Sequence, residues 1–314
     1  MSESPETPNT LSSGPNDDVE SVRNHYERWP FPDTFFSSRE GLLLLKHVKE
    51  ILKPDPSKKL NVIDVGCGTG HSAIALAAQF TDVRFVGLDL SSTAIQKAEL
   101  YAREKGLKNI TFVQGDILDR DRLPPGLFDL MISTGVLHHI KNVTQAFVNL
   151  LSLLKADGHV IFWLYGRHGR MRHSLNQAFI DILTRGHSME EREHCATEFV
   201  GHLGPQFAVH SGFYTPYGSG SEGLNWLIRH RQWLADQMIP PFEHCYTMEE
   251  ILSLLHAHRV KFTKWLGVIT RLEAYTTSAA LIDHFNKLPF EERLIAIDYL
   301  IKPEYYFVSG QKEG

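Results

Sequence analysis

The 314-residue chain has little cysteine and no surplus of positive charge. Its three cysteines, Cys67, Cys195 and Cys245, lack the even number and close spacing of a disulfide framework, which fits a reducing compartment. The formal net charge of −5 comes from residues 1–20, which hold five acids and no Lys or Arg. The remainder is formally neutral, and this argues against a broad basic surface for nucleic acid.

Long apolar runs are also missing. No stretch approaches the roughly 20 residues of a membrane-spanning helix, and the first residues lack the basic start and apolar core of a signal peptide. We therefore expect a soluble, cytoplasmic protein with no membrane partner. Residues 1–20 are rich in Ser, Pro, Thr and acids, and they bury too little apolar surface to offset the entropy of ordering. They are predicted to form a disordered acidic tail.

From residue 60 onward, short apolar runs alternate with stretches of helical spacing. The runs lie at 60–65, 83–90, 109–116, 127–133 and 158–165, and the helical stretches lie at 71–80, 91–106 and 142–155. Nearly continuous apolar strands separated by helices are typical of parallel strands that are covered on both faces. The pattern predicts an α/β fold with a doubly wound, mostly parallel sheet.

The strongest motif is VIDVGCGTG at 62–70, a strand that ends in closely spaced glycines and leads into a helix. Glycine has no Cβ and adopts positive φ, so a ligand can approach the backbone there. The spacing is G-x-G-x-G, with Asp64 two residues before the first glycine. The dinucleotide fingerprint would need a glycine at the position of His71. A nucleotide-like ligand is expected at this turn.

Three further motifs follow in order: VGLDLS at 86–91, GDI at 115–117 and STGVLHHI at 133–140. With DVGCGTG at 64–70, they make residues 60–165 resemble the class I S-adenosylmethionine-dependent methyltransferase family. The resemblance implies a Rossmann-like, seven-stranded sheet whose last strand, at 304–312, is antiparallel to the others. It also implies S-adenosyl-L-methionine as cofactor and methyl transfer by in-line displacement.

The same resemblance places the cofactor at the ends of the first four strands. The glycine loop would pass under the methionine moiety, Asp89 would accept hydrogen bonds from both ribose hydroxyls, and Asp116 would accept one from the adenine amino group. Cys67 is expected to pack rather than to react. The full set of predicted cofactor contacts is Asp64, Gly66, Cys67, Gly68, Asp89, Leu90, Asp116, Ile117, Ser133 and Thr134.

The acceptor side is less well specified. His138, just past the fourth strand, is the best-placed candidate for a catalytic base, and a structural histidine that closes the loop is the competing interpretation. After the fifth strand, Tyr165, Arg167 and Arg170 are candidates for binding the acceptor, and the arginines would suit an anionic one. A solvated loop is the alternative there. The histidines lack metal-ligand spacing, so no metal is predicted.

Residues 25–32, HYERWPFP, combine three aromatic rings with two prolines. In one interpretation they form a lid over the methionine end of the cofactor, with Tyr26 and Trp29 facing the ligand. In the other they pack on the sheet and touch no ligand. Proline fixes φ, so an ordered conformation costs less entropy in either case.

These patterns divide the chain into five segments. They are the acidic tail at 1–20, an N-terminal cap segment and helix at 21–58, the cofactor-binding half of the core at 59–165, a helical lid or substrate insertion at 166–245, and the last helices and strands of the core at 246–314. We expect a methyltransferase that acts on a small molecule. A nucleic-acid or protein methyltransferase and a non-catalytic scaffold are the alternatives.

Overall fold

The computed structural model describes residues 15–32, 39–53, 59–202 and 221–314. Its strands are β1 (Asn61–Val65), β2 (Arg84–Asp89), β3 (Ile110–Gln114), β4 (Phe128–Thr134), β5 (Leu154–Tyr165), β6 (Val260–Trp265) and β7 (Tyr305–Lys312). Its helices are α1 (Pro15–Arg28), α2 (Arg39–Leu52), α3 (His71–Gln79), α4 (Ser92–Glu104), α5 (Val143–Leu151), α6 (Arg167–Leu183), α7 (Met189–His202), α8 (Ser221–Arg229), α9 (Arg231–Met238), α10 (Met248–Ala257), α11 (Ala279–Asn286) and α12 (Phe290–Ile301).

The strands form one sheet in the order β3-β2-β1-β4-β5-β7-β6. Neighbours from β3 to β5 pair in parallel, whereas β7 is antiparallel to both β5 and β6. The chain order reverses between β1 and β4, and ligands of open α/β sheets bind at such a switch point, beyond the carboxyl ends of the strands. The predicted fold class and the antiparallel last strand are confirmed.

Both faces of the central strands are buried, which explains their nearly continuous apolar sequences. Along β1, Val62 packs in one hydrophobic cluster while its neighbour Ile63 packs in another, because successive side chains of a strand point to opposite faces. Helices therefore cover the sheet on two sides. The polar residues that end the parallel strands, such as Asp89 and Thr134, stand at the edge that this packing leaves open.

Several predicted boundaries need correction. Helix α1 begins at Pro15, inside the segment predicted as a disordered tail to residue 20, while residues 1–14 lie outside the described part of the chain. The helix gains a tertiary anchor, because the Glu27 carboxylate accepts the Ser92 and Thr93 amides at the start of α4 at 2.6 and 3.1 Å. Parts of the predicted cap segment, residues 33–38 and 54–58, also lie outside the described ranges.

The fifth strand is longer than predicted. Helix α5 ends at Leu151 rather than at residue 155, and β5 begins at Leu154 rather than at 158. Leu154 pairs with Phe128 of β4, and the Lys155 ammonium lies 2.8 Å from a carboxylate oxygen of Asp129. These contacts between β4 and β5 hold residues 154 and 155 in an extended conformation. The apolar spacing of the sequence alone was compatible with a helix or a strand there.

Helices α6 to α9 follow β5 and pack around a hydrophobic cluster of their own, which includes Ile180, Val200, Leu227 and Met238. Trp29 from the N-terminal segment completes that cluster. After it, a capping box begins α10, with Thr247 and Glu250 exchanging side-chain and backbone hydrogen bonds. Among the described helices, none combines the length and apolar character needed to span a bilayer.

Candidate functional site

A cavity of about 1420 Å³ lies at the carboxyl ends of the parallel strands. Its walls include the glycine loop at 66–68, the ends of β2, β4 and β5, helix α9, and residues Tyr26, Phe31 and Pro32. Pockets for small ligands commonly measure roughly 300–1,000 Å³. This cavity can therefore hold a nucleotide-sized ligand and a second small molecule together.

The glycine loop is held in a backbone conformation that favours glycine. Gly66 and Gly68 have φ of 69° and 54°, and a Cβ on Gly68 would overlap the carbonyl oxygen of Phe31. The amides of Gly66 and Cys67 both donate to the Leu88 carbonyl, at 2.7 and 3.0 Å, which ties the loop to β2. The strand end thus presents main chain, rather than side chains, to the cavity.

We call residues 25–32 the aromatic strap. Its backbone lies directly on the glycine loop, where the Thr69 amide donates to the Phe31 carbonyl at 3.1 Å and the Thr69 hydroxyl donates to the Pro32 carbonyl at 2.7 Å. Tyr26, Phe31 and Pro32 line the cavity. Trp29 does not, because it packs into the cluster of α6 to α9 instead. The placement predicted for Trp29 is therefore corrected, while Tyr26 stands where a ligand-facing residue was expected.

Asp89 ends β2 with both carboxylate oxygens already oriented. Oδ2 accepts the Gly68 amide at 2.8 Å, and Oδ1 accepts the Ser91 amide at 2.9 Å. Each carboxylate oxygen can accept a second hydrogen bond, so two hydroxyls of a ligand can still bind. At the next strand end, Oδ1 of Asp116 accepts the Leu118 amide at 2.8 Å, and Asp116 also faces the cavity.

A second buried carboxyl lies beneath the glycine loop. Burial, and after it the nearby Asp89 carboxylate, raise the pKa of Asp64 to about 7. Its Oδ1 has no hydrogen-bond partner within the described structure. Two buried acids beside exposed loop backbone suit a ligand that brings hydroxyl donors and a positive charge, and S-adenosylmethionine has both. The residues present therefore fit this cofactor.

The thiol of Cys67 is not activated. Burial raises the pKa of Cys67 well above its usual value, and the nearby Asp89 and Asp64 carboxylates add to the shift. The sulfur lies 3.6 Å from the Gly68 carbonyl oxygen. A buried, neutral thiol is a poor nucleophile, which agrees with a packing role.

Nine of the ten predicted cofactor residues border the cavity. The exception is Ser133, which is fully buried in β4 behind Thr134 and does not reach the cavity wall. The roles of the nine in binding remain predictions.

The structure corrects the predicted position of the titratable group after β4. His138 is fully buried and stacks on Tyr165 with ring centroids 3.9 Å apart, and burial lowers the pKa of His138 well below its usual value. His139, the next residue, borders the cavity instead. Both lie in a 3₁₀ turn at 137–139, where neighbouring side chains diverge by about 120°.

A polar cluster at the end of the cavity was missed by sequence reasoning. Asp236 of α9 is 4% exposed, and its Oδ1 accepts the Tyr26 hydroxyl at 3.0 Å. Gln237 Nε2 donates to Asp236 Oδ2 at 2.9 Å and to the Tyr165 hydroxyl at 2.8 Å. All four residues line the cavity. The available signal was a lone acid within the apolar sequence WLADQMI at 233–239, where every residue is buried.

The two arginines predicted to attract an anionic acceptor have other partners. Arg167 Nη2 pairs with Glu250 at 2.6 Å on the surface, and Arg170 is buried against Glu243, with Nη2 3.2 Å from both carboxylate oxygens. Neither arginine borders the cavity. Arg170 supports the site indirectly, since its guanidinium carbon lies 3.5 Å from the centroid of the Tyr165 ring. Across the part of the chain that is described, no cluster of three His, Cys, Asp or Glu side chains could hold a metal ion.

Comparison with known proteins agrees with this geometry. Residues 56–199 match the family model described as a methyltransferase domain. The chain carries a class I S-adenosylmethionine-dependent methyltransferase domain. The family and its cofactor, predicted from the four motifs, are thereby confirmed.

Individual relatives match over about a third of the chain. The probable S-adenosylmethionine-dependent methyltransferase CRG1 of Saccharomyces cerevisiae is 32% identical over 122 residues, which cover 38% of this chain and 41% of that protein. The ubiquinone biosynthesis O-methyltransferase of Rickettsia conorii is 39% identical over 105 residues, which cover 33% and 34%. The matched segment thus covers less than half of the length of either relative.

One solved structure resembles nearly the whole chain. PKMT2 from Rickettsia typhi, in complex with AdoHcy, aligns with a TM-score of 0.66 and 13% sequence identity, covering 90% of this chain and 55% of that one. At this identity the likeness concerns the fold. It shows that the arrangement of the methyltransferase sheet and its surrounding helices has a counterpart among experimental structures.

Replacing Arg170 with Met should destabilise the protein, because the Glu243 carboxylate is 5% exposed and would lose its cation. Removing one partner of a buried ion pair costs about 3–5 kcal/mol, whereas an exposed pair contributes about 0–1 kcal/mol. Arg167→Met, which breaks the surface pair with Glu250, is the matched control. Urea unfolding measures both, and equal losses for the two variants would contradict the assignment of Arg170 as a buried structural residue.

The free energy of unfolding of the protein should decrease as the pH rises from the pKa of Asp64 in the unfolded chain to its pKa in the folded chain. Folding raises the pKa of this carboxyl from 3.8 to about 7, so the unfolded chain releases the proton at lower pH than the folded one. Asp64→Asn, which cannot ionise, should therefore match the wild type near about pH 4 and exceed it by about 2–4 kcal/mol at about pH 8. Denaturation at the two pH values measures this, with the exposed Asp181→Asn as control. A pH-independent difference would rule out the shift.

Proposed function

We propose that the chain transfers a methyl group from S-adenosylmethionine to a small-molecule acceptor by in-line displacement. The observation that carries the proposal is the continuity of the cavity. One space connects the carboxylate of Asp89, suited to a ribose, with the polar cluster around Asp236, which the cofactor motifs do not explain. Two ligands held in one enclosed space can react without a diffusional step between them.

Different residues along the cavity would bind different parts of the cofactor. The backbone at Gly66 to Gly68 would hold the methionine moiety, Asp89 the ribose hydroxyls and Asp116 the adenine. S-adenosylmethionine supplies an already activated methyl group, so the protein's part is alignment and the exclusion of water. The aromatic strap and α9 contribute apolar walls for that purpose, including Phe31 and Trp233, whose ring centroids are 4.5 Å apart.

Burial of the acceptor end favours a small molecule. His139 and Asp236 are each 4% exposed, so a large polymer could reach them only by inserting a single group. The neutral charge of the chain beyond residue 20 also gives nucleic acid little attraction. Relatives whose names describe O-methylation in ubiquinone biosynthesis support a small acceptor, and one of them matches 33% of this chain.

Calorimetric titration tests the cofactor assignment. S-adenosylmethionine should bind saturably to the full chain, and Asp89→Ala should weaken binding at least about 30-fold, because hydrogen bonds to a charged group contribute about 1.5–3 kcal/mol each. Asp181→Ala, on the exposed face of α6, should bind like the wild type. Absence of saturable binding by the wild type would overturn the proposed function.

The acceptor class is tested in the same preparation. Methyl-labelled S-adenosylmethionine is incubated with the full chain and an extract, which is then separated into small molecules, proteins and nucleic acids. The label should enter the small-molecule fraction. Label found only in proteins or nucleic acids would contradict a small acceptor while leaving the methyltransferase assignment intact.

A further inference from the structure

His139, which borders the cavity, has a buried ring nitrogen without a hydrogen-bond partner. Its Nδ1 lies 2.9 Å from the carbonyl oxygen of Phe242, which can only accept, so Nδ1 carries the ring proton. Nε2 is then a bare acceptor in the neutral imidazole. This nitrogen is buried and has no hydrogen-bond partner among the described residues, and the residue itself borders the cavity. A buried polar atom without a partner is costly, which points to a ligand that donates a hydrogen there.

The carboxylate of Asp236 lies close to His139 Nε2. The distance from His139 Nε2 to Asp236 Oδ1 is 3.7 Å, too long for a hydrogen bond but close for an ion pair. The carboxylate is held in place by Tyr26 and by its neighbour Gln237. A proton arriving on Nε2 would therefore meet a fixed negative charge, and the resulting imidazolium would be stabilised without reorganisation.

His139 Nε2 and Asp236 differ in what they can still accept. Each oxygen of Asp236 already accepts one hydrogen bond, whereas the single acceptor site of His139 Nε2 is empty. A hydroxyl, as in an alcohol or a phenol, supplies one hydrogen for that site and an oxygen that can attack the methyl carbon. A carboxylate acceptor would bring only further acceptor atoms to this end of the cavity, and the nitrogen of an ammonium has no lone pair for the attack.

We propose that His139 is the general base for methylation of a hydroxyl-bearing small molecule, with Asp236 as the residue that stabilises the protonated ring. This inference rests on the proposed function and specifies its acceptor. The acceptor hydroxyl gives its proton to Nε2 as its oxygen forms the bond to the methyl carbon. The bond from that carbon to sulfur breaks with its electron pair left on sulfur, so the products are a methyl ether, a neutral thioether and an imidazolium that returns its proton to solvent.

Titratable groups from several elements surround His139. The groups that face it come from both sides of the cavity and from its own turn. They are His25 and Tyr26 of α1, His138 of the same turn, Tyr165 of β5, Asp236 of α9 and Glu243 of the following loop. Burial lowers the pKa of His25 to about 3, and it lowers the pKa of His138 well below its usual value. Burial also raises the pKa of both tyrosines well above their usual value. None of these four neighbours should change charge between about pH 5 and pH 9.

Two readouts test the proposal. First, the extract is treated with S-adenosylmethionine labelled with ¹³C in the methyl group, and NMR identifies the bond formed in the small-molecule product. A methyl ether is expected, and an N-methyl group or a methyl ester would overturn the hydroxyl assignment. Second, ¹⁵N NMR of the histidine rings in the full chain should show the His139 proton on Nδ1. A proton on Nε2 of the neutral ring would rule out its role as base.

Variants then separate a base from a structural residue. His139→Gln should bind S-adenosylmethionine like the wild type in calorimetry yet lose about 10²–10⁴-fold in kcat at neutral pH, recovering as the pH approaches ionisation of the acceptor hydroxyl. Asp236→Asn should retain the Tyr26 contact and lose less activity than His139→Gln. The exposed His256→Gln is the control. A His139→Gln enzyme with unchanged kcat, or with a loss that is the same at every pH, would overturn the proposal, whereas failure of cofactor binding by the wild type would instead refute the proposed function.

Discussion

The site depends on the contact between the aromatic strap and the glycine loop. Two carbonyls of the strap, from Phe31 and Pro32, accept hydrogen bonds from Thr69, and Gly68 has no side chain to obstruct them. The loop after β1 therefore has main chain on one side and the cavity on the other. This contact also directs α1 across the carboxyl edge of the sheet, where Tyr26 reaches Asp236 on the opposite wall. A segment that precedes the core in sequence thereby joins the cofactor half to the helices after β5.

Buried acids give the cavity its chemical character. Asp64, Asp89 and Asp236 line one space, and burial raises the pKa of the first two. Arg167 and Arg170 do not offset them, because each is paired with a glutamate outside the cavity. An enclosed space with excess acceptor capacity is complementary to a ligand that carries hydroxyl donors and positive charge. That complementarity links the electrostatics of the fold to the cofactor of its family.

The sequence predicted the parts of the site whose function depends on the backbone. The glycines and acids at the strand ends sit within continuous motifs, so their positions relative to the sheet follow from the order of the elements alone. Contacts between distant segments could not be read in this way. The turn at 137–139 decides whether His138 or His139 faces the ligand, and one residue changes the side on which a ring lies.

The positions of Asp236 and Arg170 also depend on tertiary packing and could not be predicted from the sequence. Each is a charged residue in a helix after β5, and the sequence marks Asp236 only as a lone acid within an apolar segment, without showing that it faces the cavity. Tertiary neighbours decide: Glu243 neutralises Arg170 away from the cavity, while Tyr26 and Gln237 hold Asp236 within it. Helix α1 similarly includes residues 15–20, which were predicted to be disordered from their polar composition, and Glu27 near its end binds the start of α4.

A crystal structure of the full chain with S-adenosylhomocysteine tests the central claim most directly. We expect both ribose hydroxyls within hydrogen-bond distance of Asp89 and the sulfur directed toward the end of the cavity formed by Tyr26, His139 and Asp236. Such a complex would place the reacting methyl position between the cofactor residues and the polar cluster. A ligand with its sulfur directed away from that cluster, or bound outside this cavity, would contradict the account.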